Sequence, residues 1–179
     1  MDDNVKLSLY GLGYVGLTSA ACALKSGLSV HGVDANASKV DTLSRGECPI
    51  HEPEIPELLA EGIRSGSFTV SGRVGEELAD ADIAMVCVGT PSQQDGSHNM
   101  TFIVEVTRQI ARHLAEHPRR GDRPLVLAYR STMRPGSMEE LVKPVLEANA
   151  LTLGRDVELV YHPEFLREST AVRDYFSPP

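Results

Sequence analysis

The chain has no tryptophan, only three cysteines and no apolar run approaching the length of a membrane span. The missing run excludes a transmembrane helix. Met1 to Lys6 lack the basic and apolar regions of a secretory signal, so a cytoplasmic setting is expected. Cys22, Cys48 and Cys87 have the spacing of neither a disulfide framework nor a metal site; Cys48 reads as a loop residue, Cys22 and Cys87 as buried thiols. Basic residues are also scarce, with 17 Lys and Arg against 25 Asp and Glu and a net charge of −8. That balance argues against a nucleic-acid surface, and the one tight basic pair, Arg119-Arg120, sits beside Pro118 in an expected loop. An anionic ligand must therefore be attracted locally, by helix N-termini and single Arg or Lys side chains. What remains is 179 residues, 41% of them hydrophobic, enough for one globular domain around one substantial core.

Short apolar runs alternate with amphipathic stretches. The expected strands are Lys6–Tyr10, Ser29–Val33, Phe68–Ser71, Ile83–Val88, Leu125–Tyr129 and Glu158–Tyr161. The expected helices are Tyr14–Ser26, Ser38–Leu43, Ile55–Ser65, Val74–Leu78, Phe102–Glu116 and Met138–Ala148. Ser137 with Glu140 forms a possible capping box, and Pro118 closes the helix before it. Such alternation predicts an α/β fold with right-handed crossovers and a parallel sheet covered on both faces. Six strands fit the doubly wound Rossmann order 3-2-1-4-5-6, with its ligand crevice above the carboxyl ends of the strands.

The first of those ends carries Gly11-Leu12-Gly13-Tyr14-Val15-Gly16, between the first strand and the first helix. Gly11 permits the tight turn, Gly13 lets backbone approach a pyrophosphate, and Gly16 lets the helix pack on the strand. The helix N-terminus adds unpaired N–H groups and the positive end of its dipole. Asp34 ends the second strand, where a carboxylate accepts hydrogen bonds from ribose hydroxyls and repels a 2′-phosphate. Ala35, Asn36 and Ala37 supply no arginine for such a phosphate, so the cofactor expected is NAD rather than NADP. The other post-strand loops hold small, hydroxyl-bearing or ionisable residues: Val88 to Pro91, Arg130 to Gly136, and His162 to Glu168.

Taken together, these loops resemble the UDP-glucose/GDP-mannose dehydrogenase family. The residues carrying the likeness are Gly11–Leu17, Val33-Asp34 with Lys39, Pro49–Pro53, Cys87–Ser92, Arg130–Thr132 with Pro135-Gly136, and Pro163–Ala171. The stretch Arg167–Tyr175 is most similar to members that use GDP-mannose, with UDP-sugar members next. The resemblance implies oxidation of a sugar C6 alcohol to a carboxylate, with two NAD reduced in succession through a cysteine thiohemiacetal and thioester. It implies that Tyr14, Val15, Asp34, Lys39, Thr90 and Thr132 contact the cofactor, with Gly11, Gly13, Gly16, Gly89 and Ser131 around them. It places Glu164 in acid/base work and counts Thr132 among the catalytic residues. Phe165, Leu166 and Arg167 then lie against the sugar nucleotide, and Glu168 lies where cofactor and substrate meet. A carboxylate in a dry crevice suits either proton removal from the alcohol or positioning of the hydrolytic water. If Pro163 opened a helix, Glu164 and Glu168 would share a face and one carboxyl would titrate high.

No cysteine here matches the family nucleophile, which lies in a later region with a lysine and an asparagine. Residues 1–179 are therefore expected to form the NAD-binding domain alone, without the central helix and the carboxyl-terminal sugar-nucleotide domain, and to be inactive by themselves. The partner expected is GDP-mannose or UDP-glucose, and a homodimer only for the full-length protein, through that helix. No metal is expected: His113 and His117 have ligand spacing but no third ligand, and Asp95-Gly96 reads as a turn. Two other readings are a non-catalytic NAD-binding module and another Rossmann dehydrogenase, such as a 3-hydroxy acid enzyme; the latter leaves the Glu164–Glu168 segment unexplained.

Overall fold

The computed structural model describes residues 5–93, 96, 98–120 and 122–178. Asp95, half of the expected Asp95-Gly96 turn, lies outside them, as do Met1 to Asn4 and Pro179. Among the described residues, β1 (Lys6–Tyr10), β2 (Ser29–Val33), β3 (Phe68–Ser71), β4 (Ile83–Val86), β5 (Leu125–Tyr129) and β6 (Val157–Tyr161) form one sheet. Every pairing is parallel and the order is 3-2-1-4-5-6. The chain is thus a doubly wound Rossmann fold.

Strand alternation sends successive side chains to opposite faces and divides the core in two. Leu7, Leu9 and Met85 pack under α1 (Tyr14–Lys25), α2 (Ala37–Ser44) and α3 (Ile55–Ser65). Tyr10, Ala84, Val86, Leu127 and Tyr129 pack against α4 (Glu77–Asp80), α5 (Thr101–Glu116) and α6 (Lys143–Ala148). In α5 the buried residues Ile103, Val106, Thr107, Ile110 and Leu114 follow the 3.6-residue period, which gives the helix one apolar stripe. No helix among the described residues is long and apolar enough to cross a membrane.

Four local expectations fail. Of the expected helix Val74–Leu78 only Glu77 and Leu78 are helical, because Glu77 Oε1 takes the Gly75 N–H at 2.9 Å and α4 starts at Glu77 instead. Cys87 and Val88 lie beyond the end of β4. Ser137 makes no capping bond, since Glu140 pairs with Arg134 at 2.7 Å instead. That segment opens as a π-helical turn, Met138–Val142, where Pro144 shortly downstream has no N–H to continue the α ladder. Finally, Glu164 to Glu168 is not helical; a helix forms later, α7 (Ala171–Phe176), so the two glutamates share no helix face.

Candidate functional site

The strand order reverses between β1 and β4, and a cleft of about 520 Å³ opens there over the carboxyl ends of the strands. Gly11 N–H donates to Val33 O at 2.8 Å and Cys87 N–H to Tyr10 O at 2.7 Å, so three strand ends meet beneath it. Gly11 has φ +96°, and a Cβ on it would stand 2.8 Å from Cys87 O. A Cβ on Gly16 would stand 1.9 Å from Gly11 O, so that glycine sets how closely α1 approaches the turn. Around Gly13 the added Cβ would meet nothing within 4 Å.

NAD carries a diphosphate, which needs N–H donors with empty volume beside them. The first N–H groups of α1 have no acceptor within the helix, its first turn bears no acidic residue, and the space at Gly13 is open. The residues present therefore fit the cofactor.

Asp34 stands at the β2 side of the cleft. Leu12 N–H and Lys39 Nζ donate to its Oδ2 at 2.8 and 2.6 Å, and Asn36 N–H donates to Oδ1 at 2.9 Å. Burial pushes this carboxyl up, but the hydrogen bonds from Lys39, Asn36 and Leu12 prevail and hold it below the ordinary range. Asn36 caps α2 by accepting Lys39 N–H at 3.2 Å, which places the Lys39 side chain beside Asp34.

At the other end, Ser131 Oγ donates to Val88 O at 2.7 Å and joins the loops after β4 and β5. Gly89, Thr90, Ser131 and Thr132 line the cleft, with Glu164 arriving from beyond β6. Glu164 Oε2 accepts Leu166 N–H at 2.6 Å. Buried Arg130 reaches His162 Nδ1 at 3.3 Å and covers the Tyr175 ring at 5.5 Å. Burial, then the Arg130 charge, lowers the His162 imidazole below its ordinary value.

Of the remaining expected positions, Tyr14 and Val15 also line the cleft, whereas Gly16, Phe165, Leu166, Arg167 and Glu168 do not. Phe165 is 80% exposed, and Arg167 grips Asp174 through two bonds of 2.8 and 2.9 Å. Several lining residues escaped the sequence reading. Arg73 and Val74 follow β3, and Phe102, Glu105, Val106 and Gln109 line the far wall. The last four are spaced i, i+3, i+4, i+7, so they form one strip of α5, a signal readable in the sequence. Glu52, buried and bound to both Tyr14 and the post-β6 segment, was also missed as a functional residue.

The thiols are poor nucleophiles. Burial pushes Cys87 up to about 12 and Cys22 to about 11, and raises Cys48 as well. Among the described residues no group of three His, Cys, Asp or Glu could hold a metal ion.

Comparison with known proteins adds a family. Residues 5–179 match the model of the UDP-glucose/GDP-mannose dehydrogenase family, NAD binding domain. The GDP-mannose 6-dehydrogenase of Azotobacter vinelandii is 40% identical over 176 residues, covering 98% of this chain and 39% of that protein. The UDP-glucose 6-dehydrogenase of Rhizobium meliloti is 32% identical over 175 residues, 97% of this chain and 38% of that protein. The crystal structure of a ternary complex of GDP-mannose dehydrogenase from Pseudomonas aeruginosa superimposes with a TM-score of 0.89 at 35% identity. It is matched over 97% of this chain and 39% of that one. The chain thus spans about 39% of the length of the first curated relatives it matches.

Proposed function

The chain belongs to the UDP-glucose/GDP-mannose dehydrogenase family as its NAD-binding domain, and from that premise we propose that it serves a GDP-mannose 6-dehydrogenase. The observation carrying this reading is the position of Glu164. It lines the cleft with Thr90 and Thr132, on loops after β4, β5 and β6, whereas Asp34 follows β2 on the other side of β1. A ribose at Asp34 and a diphosphate over Gly13 leave the Glu164 side for the reacting ring. The higher identity to the GDP-mannose enzyme than to the UDP-glucose enzyme supports GDP-mannose as the sugar nucleotide.

A bound NAD⁺ would supply the hydride acceptor for the sugar carbon. The chain's own residues orient both partners and handle the proton. Asp34 with Lys39 fixes the adenosine ribose, and the α1 N-terminus holds the diphosphate. Ser131, tied to Val88, sets the floor between two loops. Glu164 keeps one oxygen on Leu166 N–H and leaves the other for the alcohol proton or for a water.

The nucleophilic cysteine of the full reaction lies outside these residues in this reading. The raised, buried thiols of Cys22 and Cys87 support that. The chain is expected to bind NAD⁺ in calorimetry and to give no NADH absorbance with GDP-mannose; steady turnover would sink the claim about the cysteine. The full-length protein should reduce two NAD⁺ per GDP-mannose, and a clear preference for UDP-glucose would overturn the choice of sugar.

A further inference from the structure

Glu52 stands outside the cleft yet bonds both the turn into α1 and the segment after β6. It lies in the loop between α2 and α3, 5% exposed. Its Oε2 accepts the Tyr14 hydroxyl at 2.9 Å and Ser169 N–H at 2.8 Å, and its Oε1 accepts Ala171 N–H at 3.0 Å. Tyr14 belongs to the diphosphate turn. Ser169 and Ala171 follow the Glu164 segment by a few residues and open α7. Three donors on one acceptor-only side chain need a carboxylate, because an amide in that place would turn an N–H group toward one of the donors.

Both anchors are set in unfavourable backbone. Ser169 has φ 68° and Glu54, just past Glu52, has φ 70°, the left-handed region that ordinary side chains avoid. The surrounding bonds hold them there. Pro53 follows Glu52 directly, and Glu52 O accepts Ile55 N–H at 3.3 Å, so the carboxylate is presented from a stiff turn. On the other side, Arg167 binds Asp174, Thr170 Oγ1 donates to Asp174 at 2.9 Å, and Thr170 N–H donates to Arg167 O at 3.2 Å. Arg167 to Asp174 thus forms one braced piece, and Glu164 is only three residues before it.

We propose that Glu52 is a positioning residue that couples occupation of the diphosphate turn to the setting of the Glu164 segment, with the Tyr14 hydroxyl as the link. NAD on the turn fixes Tyr14; Tyr14 fixes the carboxylate; the carboxylate fixes Ser169 and Ala171. The proton acceptor is then held most firmly when the hydride acceptor is bound. This rests on the reading of Glu164 given above. Linkage makes the effect reciprocal, so the held segment should in turn tighten NAD binding.

The test is amide hydrogen exchange at Ser169 and Ala171, with and without saturating NAD⁺, in the wild-type chain, Tyr14→Phe and Glu52→Gln. Wild type should show exchange at both amides slowed about tenfold or more by NAD⁺, the scale of a coupled charged hydrogen bond. Tyr14→Phe leaves the carboxylate its two amide donors, so protection without NAD⁺ should persist while the NAD⁺-dependent gain disappears. Glu52→Gln should lose protection in both states, most at Ala171. Protection that still responds to NAD⁺ in Tyr14→Phe would overturn the coupling, and so would NAD⁺ binding to wild type with no change at either amide. The readout is exchange rather than turnover. A Glu164→Gln variant of the full-length protein that kept full catalytic rate would sink the proton-acceptor role, a failure separate from that of the coupling.

Discussion

On Asp34 three donors from the protein already converge, so a ribose bound there, as proposed, would join an occupied carboxylate rather than find a bare one. Lys39 is the adjustable member. Its ammonium is 2.6 Å from Asp34 Oδ2 and its side chain is 26% exposed. Removing the carboxylate frees that cation, and Arg73 lines the same cleft from beyond β3. Asp34→Ala should therefore weaken NAD⁺ by about tenfold, the scale of lost charge-assisted hydrogen bonds, and bring NADP⁺ to equal or better affinity. Titration calorimetry with both nucleotides decides it; an intact preference for NAD⁺ would refute the ribose role. Asp34 itself is legible in the sequence because it ends an apolar strand at the right distance from the glycines. Arg73 is not, since only β3 lying beside β2 brings it to that end of the cleft.

The turn into α1 gives two glycines with opposite expectations. Gly16 is pinned: a Cβ there lies 1.9 Å from Gly11 O, so Gly16→Ala must push helix and turn apart. Gly13 has open space and a φ of −81° that alanine accepts. Gly16→Ala should lower the melting temperature by roughly 10 °C or more, in line with severe overpacking. Gly13→Ala should melt within about 2 °C of wild type yet bind NAD⁺ at least tenfold more weakly, because its methyl occupies the diphosphate's space. Thermal melts and calorimetry on both variants separate packing from binding, and equal losses in both would refute the division. Elements set by local pattern were legible: β1, β2, β3 and β5 fall where the apolar runs place them. Helix α7 was not. Its Thr170 N-cap makes no side-chain capping bond, and the carboxylate serving its first residues comes from Glu52, 119 positions from Ala171. The local capping box at Ser137 misled for the complementary reason, as Arg134 drew Glu140 away.

Across the whole molecule the titrating groups give stability one direction with acid. Burial lowers His31, His113 and His162 below the ordinary 6.5, although Glu77 opposes this at His31. The unfolded chain therefore takes up protons at these positions before the folded one, and folding loses stability as pH falls from about 7. A second set follows at lower pH. Burial raises Asp34 and Glu52, but their hydrogen bonds prevail and hold both below the ordinary 3.8 and 4.5. Asp174 is lowered first by the hydrogen bond from Arg167. A depressed carboxyl contributes stability above its unfolded value and loses it as pH falls through the folded one, so these add to the histidines' direction. On the alkaline side, burial holds the thiols of Cys22, Cys48 and Cys87 above the ordinary 9 and Tyr10 and Tyr129 above 10, so stability falls again as pH rises beyond about 9. The melting temperature should be level from about pH 7 to 8, decline below about 6 and again above about 9, and drop steeply below about 4. Calorimetric melts from acid to alkali test this, and a melting temperature that rose between neutrality and pH 5 would contradict it. Glu52→Gln sharpens the test. That variant lacks one depressed carboxyl, so its deficit against wild type should be full at neutrality and shrink as pH falls through the carboxylate range. A deficit that stayed constant with pH would mean that Glu52 acts by its shape alone, and the two peptide N–H groups it holds would then not need its charge.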